Sequence, residues 1–202
     1  MLRCSNLVQG IGTKGNNYPS SKQGKKIKEY SLWVDMLLRC TEKYQTKRPS
    51  YVATICSENF KSYSYFYEWC QEQKGFGNTD ENERYWQLDK DILIKGNKLY
   101  SEDTCVFVPS RINTLLIKSN SVRGEYPLGV CWHKNRNQFV SSCSGTDRVK
   151  NHLGLFSTPE EAFQAYKLFK EEYIKMVAEE YKSQLDTRTY EALMNYTVEI
   201  TD

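Results

Sequence analysis

The run GVCWHKNRNQFVSSCSGTDRVKNHLGLFSTPEEAFQAY, Gly129 to Tyr166, decides the reading of the chain. Short apolar-polar alternations predict strands over 129–133, 138–144 and 149–156. Asn135–Asn137 and Ser144–Asp147 carry the turn chemistry between them. Ser157 or Thr158 then caps a helix, Pro159 suits its first turn, and Glu160 and Glu161 suit the positive end of its dipole. The spacing of Ala162, Ala165, Tyr166, Phe169, Tyr173, Met176 and Val177 predicts a buried stripe along a helix that runs to about Leu185. The expectation is a three-stranded antiparallel sheet packed on one helix. Trp132, Lys134, Arg136, Phe139, Arg148 and Lys150 are expected on its outward face, where a β-ribbon of such composition can enter a DNA groove; for Trp132 and Phe139 ordinary sheet packing is the alternative.

Charge agrees with that polarity. The whole chain of 202 residues carries only +3. Residues 118–153 carry +4 and residues 160–202 carry −5. A cationic sheet backed by an acidic helix suits one-sided binding to a polyanion. Residues 1–28 hold six bases and no acid. They read as a basic flexible arm that either tracks phosphates or is simply solvated.

Hydrophobic content of 39% allows a buried core. No apolar run is long enough to span a membrane, and the first residues lack a signal-peptide core. A cytoplasmic protein with reduced thiols is expected from its seven cysteines without a CxxC pair. Cys40, Cys70 and Cys105 sit among apolar neighbours and read as core. His133 and His152 read as incidental polar residues rather than metal ligands.

Upstream, Leu32, Trp33, Met36, Leu37 and Cys40 recur at helical spacing over 29–44, and Pro49 closes that region. Phe66, Trp69 and Cys70 mark a second helix over 63–73, followed by a polar loop at 74–83. WQLDKDIL at 86–93 predicts a strand, 95–103 a loop, and CVFV at 105–108 a second strand. Pro109 and Ser110 open a short helix, RINTLLI. The fold class is α+β: N-terminal helices and a strand-loop-strand-helix core over 29–118, then the sheet-and-helix module over 125–185. Residues 186–202 read as a tail with a further helical turn.

Two resemblances arise at these residues. Gly129-Val130, HLGLF at 152–156 and TPEEAFQAY at 158–166 resemble the ethylene-response-factor type DNA-binding domain. That domain is known from plant transcription factors and also occurs in phage proteins and homing endonucleases. The resemblance implies a sheet in the major groove with the helix behind it. FVSSC departs from the plant pattern, which usually has an arginine on that strand. This implies binding weighted toward phosphate contacts. LDKDIL at 88–93, GNKLYSEDTCVFVP at 96–109 and Asn113 resemble the ββα-metal core of HNH nucleases. SLWVDMLLRC and FYEWC resemble the region that precedes it in phage proteins.

The second resemblance implies a single magnesium or manganese ion held by Asp89 and Asn113, with Asp91 as a further candidate ligand. Lys90 or Asp91 stands where such nucleases carry the histidine that activates water. A lysine ammonium, with a reference pKa of about 10.4, is a poor proton acceptor near neutrality. Two readings therefore stand open. One is a phage or mobile-element DNA endonuclease using Asp89, Lys90 and Asp91. The other is a catalytically inactive DNA-binding regulator or host-interaction protein that keeps the fold. Double-stranded DNA is the expected partner of both, and a host protein is a further candidate of the second.

Overall fold

The computed structural model describes residues 7–116, 125–145 and 149–202. It divides into two compact units, Met1–Val108 and Pro109–Asp202. Helices and several small sheets coexist, so the class is α+β, as expected.

The first unit opens on a hairpin rather than a loose arm. Strands β1 (Ser21–Lys22) and β2 (Lys25–Lys26) pair antiparallel around Gln23 and Gly24. Both turn residues have positive φ, 50° and 75°, as a two-residue type I′ turn demands. The preceding segment is docked. Tyr18 stacks on Tyr67 with centroids 4.1 Å apart. The Tyr63 hydroxyl donates to the Pro19 carbonyl at 2.8 Å. The expectation of a flexible arm is therefore corrected for residues 7–28, while Arg3 and Cys4 lie outside the described residues.

Helix α1 (Lys28–Arg39) buries Trp33, Met36 and Leu37. It stops before the expected end, because Thr41 caps a separate helix α2 (Glu42–Lys47) by accepting from the Tyr44 amide. Helix α3 (Tyr63–Glu72) is capped by Ser62 and buries Tyr63, Phe66, Trp69 and Cys70. Rings of Phe60, Phe66, Trp69 and Phe107 pack edge-on or tilted at centroid distances of 4.9–5.8 Å. Such pairs add about 1 kcal/mol each beyond burial. These aromatics are core, as their helical spacing predicts.

The strands of this unit are very short. β3 (Ile55–Cys56) runs parallel to β5 (Leu99–Tyr100), and β4 (Gln87–Asp89) pairs antiparallel with β6 (Val106–Val108). The strand expected over 86–93 thus ends at Asp89. The Asp89 carboxylate accepts from the amides of Asp91 and Ile92 at 2.8 and 2.9 Å, which turns the chain out of the ladder. β5 lies inside the expected loop at 95–103.

In the second unit, α4 (Ser110–Leu115) precedes the sheet and buries Ile112 and Leu115. β7 (Val130–His133), β8 (Gln138–Ser144) and β9 (Lys150–Phe156) form an antiparallel meander in that order. Helix α5 (Pro159–Tyr181) packs on it. Thr158 is its cap, within a reciprocal box with Glu161. The buried stripe is Ala162, Phe163, Tyr166, Ile174, Val177 and Ala178. It is rotated from the expected one, and Met176 is exposed. Helix α6 (Thr187–Met194) follows, and Val198 joins Cys143, Phe163 and Tyr166 in one apolar cluster. Residues read as a tail thus help close the core. Among the described residues, no helix is long and apolar enough to cross a membrane.

Candidate functional site

In the second unit α5 covers one face of the sheet and leaves the other open, and register assigns each side chain to one of the two. Val130 packs into the cluster under α5. It lies opposite Ser141, and Trp132 lies opposite Phe139. Residues two apart on a strand share a face. Trp132, Phe139, Ser141 and Cys143 therefore belong to the helix side with Val130. The rings agree: Phe139 packs edge-on against Trp132 at 4.8 Å and Tyr126 at 5.1 Å. This corrects the expectation that Trp132 and Phe139 point outward. Their ring partners are each other and Tyr126, which precedes β7.

The bare face is built from the other parity: Cys131, His133, Gln138, Val140, Ser142 and Ser144. On β9 a bulge leaves Leu153 unmatched, since Ser141 faces Gly154 and Ser142 faces His152. Lys150 and His152 therefore stand on the bare face too, and both are exposed. The two histidines, read in sequence as incidental, lie on the face left open. Only the register reveals this, because the bulge switches the parity of β9 midway.

Lys134 and Arg136 occupy the four-residue turn between β7 and β8 rather than a strand, so strand alternation does not place them. The turn closes on its own backbone: the Arg136 amide donates to the His133 carbonyl at 3.2 Å, and Asn137 adopts φ 52°. Both cationic side chains are exposed. Arg148 lies outside the described residues.

Gly129 sets where β7 begins. Its φ is +80°, and a Cβ there would lie 2.0 Å from the Tyr166 ring. Glycine is required twice over, for the left-handed backbone and for the approach of α5.

The loop after β4 holds the charged residues expected to act in catalysis. Burial, and then the neighbouring Asp91 carboxylate, push Asp89 up to about 6. Lys90 is turned inward, only 6% exposed. Its ammonium donates to the Asn97 carbonyl at 2.9 Å and to Asp91 at 3.3 Å. Such a lysine braces the loop as a donor, and this geometry gives it no role as a base.

Asn97 is the hub of this loop. Its amide donates to the carbonyls of Lys90 and Leu99, both at 2.7 Å, and accepts from the Leu99 amide at 3.1 Å. Thr104 adds a bond to the same Leu99 carbonyl at 2.7 Å. Asn113 stands on α4, in the second unit.

Paired carboxylates whose charged forms repel are a donor set that a hard divalent cation suits. Among the described residues no three His, Cys, Asp or Glu side chains cluster as a metal group. The six described cysteines are free thiols; Cys70 and Cys105 are buried as expected, while Cys40 is half-buried. No family model matches the chain, and no curated protein or solved structure matches it.

Proposed function

We propose that the second unit is a DNA-binding module that contacts duplex phosphates through the β7–β8 turn and the bare face of its sheet. One observation carries the reading: Lys134 and Arg136 stand exposed on a closed turn, beside a sheet face that α5 leaves open and that presents Lys150. Residues 160–202, which include α5, carry −5, with Glu172, Glu179 and Glu180 ion-paired to Lys175, Lys182 and Arg111. A module so polarised approaches a polyanion sheet first. Phosphate contacts position a protein without reading sequence, so binding is expected to be weakly sequence-selective and strongly salt-dependent.

Fluorescence anisotropy with a labelled duplex tests it. Replacing Lys134, Arg136 and Lys150 together by Ala is expected to weaken binding to unrelated sequences alike. Wild-type affinity retained by that variant would overturn the reading.

A second reading is metal-dependent phosphodiester hydrolysis in the first unit, favoured by the close Asp89–Asp91 pair. Those carboxylates would hold a magnesium or manganese ion, oxygen ligands suiting such ions. When bound, the ion would supply charge stabilisation at a phosphate oxygen. The chain's own residues hold the pair in place through the amides of Asp91 and Ile92 and the Lys90–Asn97 brace. Supercoiled-plasmid nicking with either ion is expected to be abolished in Asp89→Ala. Absence of nicking by the wild type leaves the DNA-binding, non-hydrolytic reading.

A further inference from the structure

We infer that the β1–β2 hairpin is a second phosphate-contacting element, built into the first unit and separate from the sheet of the second. The inference takes its partner, duplex DNA, from the reading above. Its geometry is its own.

Residues 7–28 contain no acid. Within them the type I′ turn places Lys22 directly opposite Lys25. Opposed residues in an antiparallel pair have Cβ atoms about 5 Å apart, and like charges there are destabilising. Both lysines are exposed, and neither forms an ion pair among the described residues. The ribbon thus holds two uncompensated ammonium groups on one face. A bound phosphate backbone removes that repulsion.

The ribbon is also fixed at its base. The Ile27 amide donates to the Ser20 carbonyl at 3.1 Å, and Pro19 and Tyr18 are tied to α3. The lysines are therefore presented on a scaffold already ordered, which lowers the entropy lost on contact. Lys26 differs: it pairs with Ser21 on the other face, its ammonium 5.9 Å from the Tyr30 ring centroid.

The chemistry favours nucleic acid over a lipid surface. The tip, Ser21 to Lys26, is SKQGKK and has no apolar side chain to enter a bilayer interface. A narrow two-stranded ribbon also fits a DNA groove.

The test measures duplex affinity of the full chain against salt, over about 50–200 mM, where each phosphate contact adds about 0.9 to the slope. Three variants are compared with wild type: Lys22→Ala with Lys25→Ala, Lys26→Ala alone, and Lys134→Ala with Arg136→Ala. The Lys22/Lys25 variant is expected to lower the slope by about 2 and the affinity on the order of fiftyfold near 0.1 M salt. Lys26→Ala is expected to change both less. Lys22→Arg with Lys25→Arg is expected to keep wild-type binding, and circular dichroism checks that every variant is folded.

An unchanged slope for Lys22/Lys25, with loss in the Lys134/Arg136 variant, overturns the hairpin and leaves the sheet reading standing. Loss only in the Lys22/Lys25 variant does the reverse. No duplex binding by wild type at low salt overturns both. Hairpin-dependent capture on phosphatidylserine-rich vesicles, with duplex binding unaffected, also overturns the proposal.

Discussion

The loop after β4 and the turn between β7 and β8 both carry charged side chains between antiparallel strands, and they use them in opposite ways. Residues 90–105 form a long connection whose backbone groups mostly lack a ladder partner. Such groups must still be satisfied. The loop recruits its own polar side chains for this: Asp89 takes two amides, Asn97 serves three backbone groups, and Lys90 reaches the Asn97 carbonyl. Residues 134–137 are few enough to satisfy themselves by turn bonds. Their side chains are left to solvent and to partners. Charge in a long, partly buried loop is therefore structural first, whereas charge on a short closed turn is available for binding.

Substitutions test this contrast. The largest effect is expected for Gly129→Ala. The added methyl meets the Tyr166 ring, and the backbone must hold a left-handed φ. A loss of about 3 kcal/mol or more is expected, read by chemical denaturation and by amide exchange over β7–β9. A small loss would mean that the hairpin is not anchored where the contrast requires.

Asn97→Ala comes next. It strands the Lys90 carbonyl and the Leu99 amide, at about 1 kcal/mol or more for each, while the Leu99 carbonyl keeps Thr104. A destabilisation of about 2 kcal/mol is expected in the same denaturation experiment. A near-neutral result would show that the loop does not depend on its side chains, and the contrast would fall.

Asp89→Asn is expected to stabilise modestly, with a definite pH dependence. A carboxyl raised from about 3.9 in the unfolded chain to about 6 in the fold binds more protons when folded. Its contribution is then favourable in acid and lost as pH rises through about 6. Asparagine keeps the acceptor for the two amides and removes the repulsion with Asp91. The Tm of Asp89→Asn should match wild type near pH ~4 and exceed it above pH ~7. A difference independent of pH would place the strain elsewhere.

The smallest stability effect belongs to Lys134→Ala with Arg136→Ala. Exposed side chains away from caps and cores change stability by about 0.5 kcal/mol or less. The same pair should show the larger loss in duplex affinity, so stability and binding separate on the turn. They should not separate on the loop.

Much of the second unit was legible in the sequence. β7, β8 and β9 begin and end within a residue of the expected bounds, and Thr158–Glu161 caps α5 where the pattern placed it. These elements are set by neighbours in the chain, through alternation, turn residues and caps. Their facing was not legible. Trp132 and Phe139 look outward by composition, and the face they share with Val130 and Ser141 turns them to the helix side. The β9 bulge cannot be seen without its partner strand.

In the first unit, the two aromatic helices and the charged run Asp89–Lys90–Asp91 could be read along the chain. Periodicity and residue chemistry suffice for those. Tertiary structure decided the rest. β3 and β5 have two residues each and pair across more than forty positions, so neither carries a local signal. The inward turn of Lys90, the Asn97 hub and the raised Asp89 exist only once the loop has closed. The basic residues of the arm were visible as a count, and their opposition across a type I′ turn was not. Local interactions are written along the chain; the environment that fixes what a charged side chain does is made by residues distant in it.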